Sequence, residues 1–196
     1  MSSSKVDSAG GGVHPNSAFQ KQVEDLVVSR LSNFQVPAGF TGVISPEFLF
    51  AFCYPEQWQF TKLPQFSIYG IAKDTPNSKG FSRSCSVTIG RMPDEGFNIT
   101  EFLDYVVKGV LYSAQNGVVV FQEDFQFLNC PARKIRVDFN PPSSIGALEG
   151  VTLTSYSIHV VDVKGKKYLG IAFTCSKEDF DSSRKIFDTI ANTFRI

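Results

Sequence analysis

Hydrophobic and polar positions along the chain follow two periods, and the switches between them mark its elements. The clearest stretch is the last, Gly150 to Ile196. Residues Val151 to Val163 hold few helix formers and many β-branched side chains, among them Val151, Thr152, Thr154, Ile158, Val160, Val161 and Val163. That composition predicts a long strand. Asp162-Val163-Lys164-Gly165 supplies turn chemistry, with Gly165 able to take a positive φ. Lys167 to Cys175 then alternates, setting Leu169, Ile171, Phe173 and Cys175 against Tyr168, Gly170, Ala172 and Thr174. Phe180, Phe187, Ile190, Ala191 and Phe194 fall on one helical face, so a closing helix needs an apolar surface beneath it.

Upstream, Phe19, Val23, Leu26, Val27, Leu31 and Phe34 recur at three- and four-residue steps until Pro37 and Gly39 intervene. This predicts an N-terminal helix. Residues 1–15 are small, polar and glycine-rich, with nothing to bury, and are expected to be a disordered tail. Residues 16–47 read as helix and linker, and 48–196 as the main domain. Strands are predicted at Phe48–Tyr54, Gln65–Ala72 and Ser84–Met92. Asn98 then opens a helix, its side chain capping the first turn and Glu101 completing a capping box. Asn98-Ile99-Thr100 is also a glycosylation sequon, but with no secretory leader visible the capping role is preferred. Phe102, Leu103, Val106, Val107, Val110 and Leu111 form the apolar stripe of that helix.

Strands resume at Val118–Leu128 and Arg133–Phe139, followed by an irregular stretch from Asn140 to Glu149 that contains Pro141-Pro142. The order is helix, three strands, helix, four strands, helix. Hairpin-length links favour antiparallel pairing. The expected fold class is α+β: a mainly antiparallel sheet of six to seven strands in an α-β-α sandwich, with an extra N-terminal helix. Leu153 and Val161 lie opposite Ile158 and Val160 on the long strand, so the sheet is expected to be covered on both faces. The two inner helices are placed on one face, and the N-terminal helix or loops on the other.

Chemistry is sparse. The chain has 196 residues, and its 19 acidic and 19 basic side chains cancel, so no global field points to nucleic acid or an anionic surface. No run of 18 apolar residues offers a membrane span. Cys53, Cys85, Cys130 and Cys175 lack metal-knuckle or redox spacing and read as small buried hydrophobes, with disulfide pairing as the alternative. Only His14 and His159 exist, and they do not share a segment, so no metal site is predicted. Ala9-Gly10-Gly11-Gly12 lacks the continuation of a phosphate loop. A hydrolase would need Cys53 or Cys175 within reach of His159. Two basic clusters stand out: Arg133, Lys134 and Arg136, and then Lys164, Lys166 and Lys167 at a hairpin tip. They read first as solvated charges and otherwise as contacts for an acidic protein.

Tyr54-Pro55-Glu56-Gln57-Trp58 resembles the YPxxW opening of the PsbP / DcrB / Ran-binding Mog protein superfamily. Pro131-Ala132-Arg133-Lys134-Ile135, leading into a strand, and the ending Ile190-Ala191-Asn192-Thr193-Phe194-Arg195-Ile196 are similar to that superfamily as well. The resemblance covers about Phe48 to Ile196 and implies a PsbP-like sandwich with a binding role and neither enzyme activity nor a cofactor. It places a protein partner, and no nucleic acid, on an accessory or assembly factor like the photosystem proteins of the family, peripheral to a membrane complex. The alternative is a chaperone-like binder of a hydrophobic client helix. A complete chain would be cytoplasmic, and a trimmed mature form would belong to the thylakoid lumen or cell envelope. Expected contact residues are Trp58, Arg133, Arg136, Asn140, Pro141, Pro142, Lys164, Lys166 and Lys167, with the loop Lys73 to Gly80 beside them.

Overall fold

The computed structural model describes residues 31, 34–63, 68–77, 80–92, 96–114, 117–141, 148 and 150–196. Among the described residues, nine strands and two helices are delimited in the order β1 (Phe40–Ser45), β2 (Phe50–Pro55), β3 (Gln59–Lys62), β4 (Ile68–Lys73), β5 (Ser84–Arg91), α1 (Ile99–Ser113), β6 (Val118–Phe127), β7 (Cys130–Phe139), β8 (Leu153–Asp162), β9 (Lys167–Ser176) and α2 (Phe180–Thr193). The disordered tail and N-terminal helix expected from the sequence lie outside the described residues.

The main sheet has seven strands in the order β3-β4-β5-β9-β8-β7-β6, antiparallel at every pairing. It is two meanders joined by α1. Strands β3 to β5 run out from one edge, α1 carries the chain to the opposite edge, and β6 to β9 return until β9 pairs with β5. Asn98 caps α1 as its sequence predicts, its Oδ1 accepting from the backbone of Thr100 at 2.9 Å and of Glu101 at 3.3 Å.

The expectation that both inner helices share a face is corrected. Tyr156, Ile158 and Val160 of β8 join the cluster that holds Phe180, Phe187 and Ile190 of α2. The alternate positions face α1, whose Val107 packs with Ile135 and Val137 and whose Leu103 packs with Val161. Strand alternation therefore puts one helix on each side.

The first strand foreseen from the sequence, Phe48–Tyr54, is also not in the main sheet. As β2 it pairs with β1 in a separate ribbon over the α2 face. Residues 40–45, read as linker, are half of that ribbon. Gly42 hides the strand from pattern reading, and it is needed there. A Cβ would lie 2.9 Å from Val36 Cγ2 and 3.2 Å from the Phe34 ring.

The ribbon is pinned by the chain's end. Ala51 and Arg195 exchange two backbone hydrogen bonds of 2.9 Å, and the Cys53 amide donates to Thr193 Oγ1 at 2.8 Å. Phe52 stacks on Phe194 with centroids 4.9 Å apart, and Phe173 stacks on Phe187 at 4.8 Å. Both sheet systems thus close on one aromatic layer. Phe52→Ala empties a fully buried position in it, so equilibrium denaturation should show a loss of about 3–5 kcal/mol.

Candidate functional site

The first basic cluster is consumed inside the fold. Arg133, 3% exposed, faces α1, where its guanidinium pairs with Asp104 and takes Asp124 through two hydrogen bonds, the longer 2.9 Å. Those bonds hold the Asp124 carboxyl below its usual range and push the guanidinium further up. On the opposite face, Lys134 pairs with Glu123 at 2.9 Å, and the Arg136 guanidinium sits 3.9 Å from the Phe180 ring centroid. Arg136 also reaches Asp138, which accepts from Thr154 at 2.7 Å and pairs with Lys177 at 3.0 Å. Trp58 is 3% exposed within the aromatic core. Neither Trp58 nor Arg133 offers a surface to a partner, because apolar packing claims the one and two carboxylates claim the other.

The loops expected to act together are separated. Asn140 and Pro141 lie where β7 ends beside the start of β8, the same sheet end as the 74–83 connection. Lys164, Lys166 and Lys167 belong to the β8–β9 turn at the other end, where Lys167 pairs with Asp162 at 3.8 Å. Ten-residue strands put the two ends about 30 Å apart. Pro142 lies outside the described residues.

Buried between α1 and the sheet is a polar chain that sequence reasoning did not assemble. His159 Nε2 is 2.8 Å from Ser157 Oγ, and Nδ1 is 2.7 Å from the Tyr168 hydroxyl. Register places Arg133 directly across from His159. Burial, followed by that cation, lowers the imidazole pKa to about 4, and burial raises the Tyr168 phenol. The serine–histidine order is that of a nucleophile and its base, but Ser157 and His159 are sealed under α1. The thiols do not join it. Cys175 packs in the aromatic core on the other sheet face, and the Cys53 thiol donates weakly to the Gln35 carbonyl at 3.9 Å. Burial pushes the Cys175 thiol up to about 12 and raises that of Cys53, where the Thr193 hydrogen bond and the Arg195 charge oppose the rise.

What the fold does expose is apolar side chains on α1 and on β6, the strand that follows it. Nine large hydrophobics are exposed among the described residues, and five of them are Tyr105, Tyr112, Val118, Val119 and Val120. Tyr105 is 73% and Tyr112 89% exposed. One heptad apart, they share a helix face with Gly109, where an added Cβ would meet nothing within 4 Å. The sequence carried a signal for this. Both tyrosines fall off the apolar stripe that packs α1, yet they are too large for an ordinary solvent face.

No family model matches the chain, and no curated protein matches it in sequence. Solved structures do match in fold. The cyanobacterial PsbP (CyanoP) of Synechocystis aligns over 82% of this chain and 94% of its own, with 12% identity and a TM-score of 0.60. LpqN of Mycobacterium tuberculosis, described as involved in cell envelope biogenesis, aligns over 79% and 83%, with 11% identity and a TM-score of 0.58. The Ran-binding protein Mog1p of Saccharomyces cerevisiae aligns over 79% and 94%, with 9% identity and a TM-score of 0.53. The chain has the PsbP/Mog1-like fold. Identities this low make the PsbP-like scaffold the shared property, and any site has to be read from this chain's own side chains.

The buried imidazole gives this scaffold a pH signature. His159 stays neutral in the fold down to about pH 4, whereas an unfolded chain binds that proton near 6.5. Stability is therefore full above pH 6.5 and declines towards pH 4. Between pH 7 and pH 5, denaturant titration should register a loss of about 2 kcal/mol. His159→Gln should remove most of that decrement, and an unchanged decrement would assign it elsewhere.

Proposed function

We propose that this chain is a non-catalytic binding protein, an accessory or assembly factor that docks a protein partner on the surface of α1 and the start of β6. The observation that carries this reading is the exposed Tyr105–Gly109–Tyr112 face together with Val118 to Val120. Tyrosines are over-represented among residues that dominate interface energetics, since a rigid amphipathic ring loses little entropy when covered. A glycine inside a helix costs about 1 kcal/mol relative to alanine, and nothing within the described fold requires Gly109. A bare backbone between two rings admits a large side chain from a partner.

The comparisons support the class of function. A cyanobacterial PsbP, an envelope-biogenesis protein and a Ran-binding protein share the scaffold. A client-helix chaperone is less well served. The sheet face beside α1 presents half-buried Ser84, Ser86, Thr88 and Thr174, hydroxyl side chains that give an apolar helix little to bury.

A photo-crosslinking amino acid placed singly at positions 105, 112 and 164 in the cells of origin tests the assignment. Positions 105 and 112 should give one discrete protein adduct that position 164 does not give. Gly109→Ala should raise stability by about 1 kcal/mol and weaken that adduct. Adducts from position 164 alone, or none, would overturn the surface.

A further inference from the structure

We infer that the pocket at the β8–β9 turn end of the sheet binds an amphipathic anion, a hydrocarbon body ending in a carboxylate. The pocket measures about 520 Å3, within the range of small-ligand sites. Its walls come from three places: Phe48 and Leu49 before β2, Ile89 to Met92 at the end of β5, and Gly165 to Lys167 in the turn. Phe48, Leu49, Ile89 and Met92 supply apolar surface, and Arg91, Lys166 and Lys167 line it with Glu47, Lys167 also reaching Asp162 at 3.8 Å.

Three observations make this a built site. Arg91 is exposed and its side chain forms no hydrogen bond or ion pair among the described residues, so its planar fork is available for a carboxylate. Lys167 Nζ donates to the Phe48 and Leu49 carbonyls at 3.2 and 3.3 Å, which ties the apolar wall to the cationic one. Leu49, at φ 51°, is held in the left-handed region that a leucine rarely enters. Lys166, at φ 50°, shares that conformation and lines the same pocket. Both residues belong to the turns that form the rim of the pocket. The site is separate from the docking surface of α1 and β6, and either can fail alone.

The probe is decanoate, with decanol and acetate as controls, followed by backbone amide shifts below the aggregation limit of each. Decanoate should perturb residues 47–49 and 89–92, and both controls should bind about tenfold more weakly or worse, because each lacks one of the two interactions. Arg91→Gln should weaken decanoate by about tenfold while leaving decanol unchanged. Leu49→Gly relieves the left-handed leucine, so it should melt no lower than the parent yet bind decanoate less well. No shift with decanoate, equal binding of decanol, or an unaffected Arg91→Gln variant would each overturn the assignment.

Discussion

Everything in this fold depends on the central β8–β9 hairpin being buried on both faces, each by different chemistry. One face is aromatic. Tyr156 and Phe173 lie in the layer that also holds Phe52, Phe180, Phe187 and Phe194, so helix α2, the β1–β2 ribbon and the main sheet share one apolar interior. The other face is polar at its centre, where Ser157, His159 and Tyr168 satisfy one another and Arg133, across from His159, is satisfied by Asp104 and Asp124. Burial of such groups is tolerable only when each finds a partner. The Arg133–Asp104 pair ties α1 to this face beside the apolar contacts of Leu103 and Val107.

That division explains where surfaces are left over. The aromatic face is closed by a helix and a ribbon, and the ribbon is fastened by the last residues of the chain. The polar face is closed by α1 over β7 and β8. Apolar surface therefore remains on the outside of α1, along the edge strand β6, and at the turn end where the ribbon meets β5. Val120 falls at an irregularity in β6–β7 pairing, a feature that twists an edge and discourages indiscriminate strand addition.

The basic clusters show why charge in a sequence is a poor guide to a contact surface. Arg133, Lys134 and Arg136 look alike in one dimension. Alternation sends Arg133 to a carboxylate pair under α1, while Lys134 and Arg136 go to aromatic rings on the far face. Arg91 drew no notice in the sequence because it stands alone there. In the fold it shares a pocket with two lysines, brought beside it by the β5–β9 register.

Local patterns by themselves determined most of the elements. The alternation of β9, the apolar stripes of α1 and α2, the Asn98 cap and the antiparallel meanders were all legible, because each depends on neighbours a few residues away. So was the resemblance carried by Tyr54 to Trp58 and the closing Ile190 to Ile196. The tertiary structure alone decided which strands share a sheet, which face each helix takes and where the chain end returns. Gly42 and the short polar β3 gave no strand pattern, since their pairing is dictated by what passes over or beside them. The exposed tyrosines and the pocket belong to the same class. Exposure and convergence are properties of packing between distant segments, and one-dimensional periodicity does not encode them.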